Sequence, residues 1–483
     1  MKIAIPKIRV VRLKGSEINF VPKKFDEYIL DMNYTLNLHA KDVFHGRNNE
    51  IKRIFNSLLK TQNANIMVLG ENGVGKSALV QATIHKVIQG KCPKELRNHH
   101  FLYWDVERML ANLAGKDEDA IKLIGETFQF LTTYNNFVVV IEDVHLVAAS
   151  MLLRYYFLYM LKLPTLKVIG ITTEEDFYDY FAYESKILSS VDIINVKEPK
   201  AKKVYPMIRD YLVYLESRQG VRISRDLVEY TVSVSTAFSS ECCNPGRTIN
   251  YIEKSMISAK MHKRNQVTKE DINSNFNFDY ELYNNMSPED KKITAYHEAG
   301  HFIVAKLSEN IKNFKTTAIT IIPAEDFLGV TMFEFEPEKQ THCDADYFID
   351  NIASDLAGRV AEIILQGEGK KIRLTSGAFS DLKNATQTAR NIVTEFGMIE
   401  SCGQNMTYFC NYDLSDYALL SEERKVTIDK ETQNLINNAF ERAMFILKSN
   451  RKLLDVIANA LLENEVLDEK DLDALCAQVL GNK

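Results

Sequence analysis

The stretch Gly70-Glu71-Asn72-Gly73-Val74-Gly75-Lys76-Ser77 limits the possible folds of this chain more than any other. It matches the pattern G-x-x-x-x-G-K-[ST] at every fixed position. The apolar run Asn65 to Leu69 precedes it and reads as a strand, and a helical pattern opens at Ser77. A glycine loop between a strand and a helix curls so that successive backbone N–H groups point at phosphate oxygens. The helix N-terminus adds its dipole. Lys76 is then expected to reach the β- and γ-phosphates, and the Ser77 hydroxyl to bind magnesium. ATP and Mg2+ are therefore expected ligands, and a chance glycine-rich turn would lack both flanks.

The runs around this motif extend the same reading. Phe101 to Trp104, Phe137 to Ile141, Lys167 to Ile171 and Val191 to Val196 read as strands buried on both faces, separated by helical patterns. Such alternation indicates a parallel α/β sheet over residues 41–200. The acidic pair of the site is Glu142-Asp143, the reverse of the usual Asp-Glu order. In the usual order the first acid holds the magnesium shell and the second orients the attacking water. Asp143 is one methylene shorter than the usual base. Thr172, at the end of the next strand, is placed to sense the γ-phosphate. From 201 to 276 the strand signal gives way to helical periodicity, which suggests a helical lid. Residues 277–286 are polar and aromatic without a period and read as a linker, and residues 1–40 form a mixed leader with no assignment. A new domain, 287–483, opens at Ser287-Pro288-Glu289-Asp290. Ser at the N-cap, Pro at the first helical position and an acid at the third make a helix start. The tail from Thr427 reads as helical, with breaks near Asn450 and Leu467.

Composition narrows the partners and the compartment. The 483 residues suit two or three domains, and 46% apolar with 26% charged residues suits well-buried ones. A net charge of −6 without a basic stripe gives no reason to expect nucleic acid. The seven cysteines are scattered and form no C-x-x-C pair, so neither a disulfide framework nor a cysteine zinc site is indicated. Reduced thiols and a cytoplasmic location are expected. The basic start, Lys2 to Lys14, has no apolar stretch behind it and is neither a signal peptide nor a membrane anchor. Met151 to Leu161 is the nearest thing to a spanning run, but it is short and holds Arg154, so a soluble protein is expected.

The second constellation lies in the helix that starts at Ser287. His297 and His301, at i and i+4, share a helix face and can converge on one Zn2+, and Glu298 falls beside them as a base. A third protein ligand is needed, and neither periodicity nor spacing identifies it. His342 and Cys343 lie in a polar stretch that reads as a surface loop. His145, after the acidic pair, reads as packing.

Two resemblances add to these readings. Asp42 to Arg47, the phosphate loop, Ile141 to His145 and Ile169 to Thr173 resemble the first ATPase module of Clp-type AAA+ unfoldases, in order and spacing. This resemblance implies a ring, ATP between subunits, and a second sensor at Arg247 within Asn244-Pro245-Gly246-Arg247. The chain departs from that family in two places. Ile187 to Ser190 holds no arginine where the family has its finger, and Leu110 to Gly115 has no aromatic where the pore loop would grip polypeptide. ATP binding and fast hydrolysis are therefore separate expectations.

The second resemblance runs from Ser287 to Leu475. Thr294 to His301, Ile319 to Pro323, Leu328 to Phe333, Leu356 to Glu362, Thr375 to Thr386 and Glu395 to Met398 resemble the FtsH family of ATP-dependent metallopeptidases. It implies that Asp381 is the third zinc ligand and that Gly329 to Phe333 is an edge strand beside the substrate. The expected fold class is multidomain α/β plus α: an AAA+ P-loop parallel sheet with a helical lid, then a mainly helical zincin-like HExxH domain. Both families form six-membered rings, so a homohexamer is implied. The expected activity is ATP-dependent zinc endopeptidase action on polypeptides, with the ATPase as motor or as slow gate. The alternative is a non-proteolytic AAA+ chaperone or scaffold.

Overall fold

The computed structural model describes residues 21–37, 45–113, 117–133, 135–149, 151–181, 184–239, 242–311, 314–324, 327–335, 343–367, 375–399 and 421–481. The chain divides into two compact units. The first runs to Val232 and takes in the segment up to Val267; the second holds Ser233–Ser239 and everything from Thr268 onward.

In the first unit, six strands form one sheet: β1 Ile29–Asp31, β2 Asn65–Leu69, β3 His100–Trp104, β4 Phe137–Glu142, β5 Lys167–Thr172 and β6 Val191–Asn195. Their order is β1-β3-β4-β5-β2-β6, with β1 antiparallel to β3 and all other pairs parallel. Alternate residues of a strand face opposite sides, and here both sides are covered. Met67, Leu69, Val139 and Ile141 pack into one core, while Ile66, Val68, Val138 and Val140 pack into another. The four flanking strands expected from sequence are all present. The added strand β1 is only three residues long and carries too little pattern to read in advance.

Register decides what meets at the sheet's carboxyl end. Leu69 of β2 stands beside Thr172 of β5, and Ile171 of β5 stands beside Glu142 of β4. The strand order changes direction at β2, and such crevices are where open α/β sheets take their ligands. Buried Asn65 fixes the other end of β2. Its amide donates to Leu161 O at 2.8 Å and Ser190 O at 3.1 Å and accepts from Val168 N at 3.1 Å.

The second unit is mainly helical. Ser287 accepts a hydrogen bond from Asp290 N at 3.0 Å and caps the helix Pro288–Leu307, whose residues Ala295 to Ala305 are all buried. This helix lies against the helix Ala345–Gln366. A Cβ on Gly300 would stand 2.6 Å from Ala357 O, so only glycine permits that approach. Three antiparallel strands complete the unit: β7 Phe314–Thr320, β8 Val330–Phe335 and β9 Val466–Asp468, in the order β8-β7-β9. The tail forms helices Glu422–Ser449, Arg451–Asn464 and Glu469–Leu480. The break near Leu467 is β9 itself, paired with β7. Two sequence readings change. Within 277–286, the helix Tyr280–Asn285 forms, because the Asp279 side chain accepts from Leu282 N and supplies the start that its missing period concealed. Residues 268–276, read as the end of the lid, fall with the second unit. The leader up to residue 20, His342 and Gly115 lie outside the described residues. Among the described residues, no helix is long and apolar enough to cross a membrane.

Candidate active site and nucleotide site

The helix Pro288–Leu307 delivers His297, Glu298 and His301 on one buried face. Asp381 comes from the first turn of the helix Phe379–Thr394. His297 Nε2 lies 3.1 Å from Asp381 Oδ2, His301 Nε2 lies 3.4 Å from the same oxygen, and the two Nε2 atoms are 3.0 Å apart. Donors at about 2.0–2.1 Å from a tetrahedral zinc stand roughly 3.3 Å from one another. The three side chains therefore fit that ion, and they form a metal-ligand cluster among the described residues.

The opposite edges of both imidazoles are fixed. His297 Nδ1 donates to Glu362 Oε1 at 2.8 Å, and His301 Nδ1 donates to Ser354 O at 2.7 Å. Each acceptor holds its ring in the tautomer whose Nε2 faces the cluster. Glu362 is held in turn by Arg359 Nη1 at 3.2 Å and by the Thr375 hydroxyl at 3.2 Å. Glu362→Gln is expected to weaken zinc affinity by about 10–100-fold, as losses of such supporting partners do. Chelator competition measures this, and an unchanged affinity would mean that Glu362 does not set the ring.

The electrostatics follow from the same contacts. Burial disfavours a charged His297, but hydrogen bonds to Asp381 and Glu362 outweigh it and push the imidazole up to about 10. His301 is raised as well, against its burial, chiefly by Asp381. Burial would lift Asp381, yet both histidines hold it well below the usual carboxylate range. Metal binding at these side chains therefore competes with protons. Asp355 is a further acid here that sequence reading missed. Burial and the nearby Asp381 push it up to about 7, against the pull of His301. No local sequence signal marks it, since its helix face also carries Asn351, Arg359 and Glu362.

Glu298 sits against β8. The Thr331 hydroxyl is 2.7 Å from Glu298 Oε2, and a Cβ on Gly329 would lie 3.1 Å from Oε1. The strand can run this close to the carboxylate because position 329 has no side chain.

In the first unit, the phosphate loop spans β2 and the helix Lys76–Ile88. Gly73 has φ +83°, and a Cβ there would stand 2.6 Å from Cys243 O. Lys76 Nζ donates to Gly70 O at 2.7 Å and Glu71 O at 3.0 Å. Burial lowers its pKa, and Asp143, Glu71 and Glu142 oppose that shift. The Ser77 hydroxyl donates to Glu142, whose other oxygen accepts from Tyr103 OH at 3.2 Å. Asp143, the other acid of the pair, adopts a left-handed φ of 48°. Glu71, Asn72, Val74 and Gly75 complete the loop. Asn72 O accepts from Cys243 N at 2.7 Å, and Val74 O accepts from Arg47 at 3.2 Å. Gly75 has φ +94° just before the helix.

Thr172 is buried at the end of β5, and its hydroxyl is 2.9 Å from His145 Nδ1. His145, read as packing, also stacks on Tyr180. Arg247, the residue implied as a second sensor, lies beside the loop's neighbours. Its guanidinium bonds Cys242 O at 2.5 Å and lies 3.6 Å from Glu198. It is the preceding backbone that meets the phosphate loop, with Gly246 N donating to Gly73 O at 2.9 Å.

Comparisons with known proteins agree with this division. Residues 284–475 match the family model Peptidase family M41, and residues 35–233 match Novel STAND NTPase 1. The ATP-dependent zinc metalloprotease FtsH of Synechococcus sp. (strain JA-2-3B'a(2-13)) is 35% identical over 196 residues, which are 39% of this chain and 30% of that protein. FtsH 1 of Thermoanaerobacter sp. (strain X514) is 37% identical over 195 residues, 39% of this chain and 30% of that one. The YME1 homolog of Schizosaccharomyces pombe is 33% identical over 189 residues, 39% of this chain and 25% of that one. The chain thus spans less than a third of the length of these relatives. A closed-state cryo-EM structure of Hsp104 with ATPyS and FITC casein covers 59% of this chain and 50% of its own, at TM-score 0.50 and 17% identity. That likeness concerns the fold alone.

Proposed function

We propose that this chain, which joins an AAA-type NTPase region to a Peptidase family M41 domain, is an ATP-dependent zinc endopeptidase acting on polypeptides. The convergence of His297, His301 and Asp381 beside Glu298 is the observation that carries this reading. Zinc held by those three residues would supply Lewis acidity toward a water and a peptide carbonyl. Glu298 accepts the proton of the attacking water and hands it to the leaving amine. An extended substrate added to β8 by backbone hydrogen bonds would be cut with little sequence preference.

ATP with Mg2+ is assigned to the loop 70–77, with Lys76 on the phosphates, Ser77 and Glu142 on the magnesium side, Asp143 toward the water and Thr172 as sensor. Arg247 is proposed as the second sensor of the bound nucleotide. A nucleotide-binding region at 41–200, a helical lid from 201 and a peptidase domain at 287–483 are proposed for these roles, with a homohexamer as the assembly. A cytoplasmic setting fits cysteines that are scattered and form no C-x-x-C pair. A second reading, the ATPase as a slow gate, is favoured by Ser189 and Ser190 where an arginine would serve a neighbour.

Degradation of casein with ATP, with a non-hydrolysable analogue and without nucleotide separates the two. Cleavage that needs hydrolysable ATP supports a motor, and equal cleavage with the analogue supports a gate. No cleavage under any condition would contradict the peptidase reading and favour a scaffold.

A further inference from the structure

We propose that Thr331 is a positioning residue that satisfies Glu298 in both of its protonation states and ties this base to the strand on which substrate lies. The inference rests on the peptidase reading above. The Thr331 hydroxyl has two partners on the same residue: Glu298 Oε2 at 2.7 Å and the Glu298 backbone carbonyl at 3.0 Å. A hydroxyl carries one proton and two acceptor sites. When Glu298 is ionised, Thr331 donates to Oε2. When Glu298 is protonated, the carboxyl O–H donates to the Thr331 oxygen, and the threonine proton turns to the carbonyl. Neither state leaves a buried polar group without a partner, which would otherwise cost free energy at each turnover.

The proton balance is complete within the reaction. Glu298 takes a proton from water as the new C–O bond forms. It delivers that proton to the nitrogen as the C–N bond breaks. Thr331 gains and loses nothing; it only changes the direction of its hydrogen bond. Because Thr331 holds Oε2, the carboxylate is turned with Oε1 toward Gly329, where the missing Cβ leaves room.

Thr331 also belongs to β8. Its Cα partner is Ile319 of β7, and β8 ends the sheet order β8-β7-β9. A peptide that adds to the outer edge of β8 is thereby registered by the strand that aims the base. The sequence offers no sign of this, since a threonine in a strand is ordinary.

The test uses the full zinc-loaded protein with a short fluorogenic peptide. Thr331→Val keeps the shape and removes the hydroxyl, whereas Thr331→Ser keeps the hydroxyl. Thr331→Val is expected to lower kcat by about tenfold or more, a fraction of the about 10²–10⁴-fold that a positioned base contributes. KM, zinc content and melting temperature are expected to stay near those of the parent, and Thr331→Ser to recover most of the rate. Crystal structures of both variants give a readout independent of turnover. The Glu298 carboxylate should rotate away in Thr331→Val and stay in place in Thr331→Ser. An unmoved carboxylate in Thr331→Val overturns the proposal, as does an unchanged kcat or a Thr331→Ser variant as slow as Thr331→Val. If the parent protein cleaves nothing, the peptidase reading fails, and the carboxylate's position still decides the hydrogen-bonding role.

Discussion

Gly358→Ala is expected to strip the peptidase site of zinc while leaving the helix that carries it intact. Position 358 lies in the helix Ala345–Gln366, where alanine is ordinarily favoured over glycine by about 1 kcal/mol. Packing reverses that preference here. An added Cβ would stand 2.4 Å from His297 Nε2 and 2.5 Å from Cε1, closer than a Cβ can approach a ring. The imidazole cannot swing aside freely, because Glu362 holds Nδ1 from the other edge at 2.8 Å. The ring must therefore move at the atom that binds metal, where ligand distances tolerate only about 0.2 Å. Loss of supporting partners alone costs about 10–100-fold in affinity, so displacement of a ligand should cost at least about 100-fold. Zinc content after dialysis measures the effect, and circular dichroism should show retained helix. A variant with full zinc and full activity would mean that the two helices are not so closely packed. Gly300→Ala is a useful contrast. Its Cβ would meet Ala357 O at 2.6 Å, so it should lower the melting temperature by wedging the helices apart.

Lys76→Ala is expected to lower ATP turnover by about 10²–10³-fold, the usual size for loss of one preorganised charge at a phosphate or oxyanion. Lys76 now bridges Gly70 O and Glu71 O at the mouth of the loop, with the carboxylates of Asp143, Glu71 and Glu142 near enough to support its charge. No other described contact places a lysine there. If the ATPase drives degradation, casein cleavage falls by a similar factor, while cleavage of a short peptide that needs no unfolding is retained. Unchanged ATP turnover would remove the phosphate role from this loop.

The sequence revealed the NTPase sheet well, because strands buried on both faces announce themselves as apolar runs and the glycine loop fixes their order. It also revealed the helix that carries His297, Glu298 and His301, through its cap and its i, i+4 spacing. Asp381 is 84 residues beyond His297 and could be reached only through resemblance to a family. The short strands β1 and β9 escaped notice because three residues hold no period; β9 looked merely like a gap between helices. Thr331, Gly358 and Asp355 matter through what the fold brings against them, and nothing local marks them. Arg247 could be singled out only through resemblance as well, and its contacts with Glu198 and a carbonyl come from the fold.

The most direct measurement is casein cleavage by the purified chain with ATP and zinc, set against Glu298→Gln. The substitution is nearly isosteric, so zinc content should remain at the parent level while the proton acceptor is lost. The account predicts cleavage by the parent and a loss of about 10²–10⁴-fold in the variant. Equal cleavage by the two proteins, or none by a zinc-loaded parent, would contradict it.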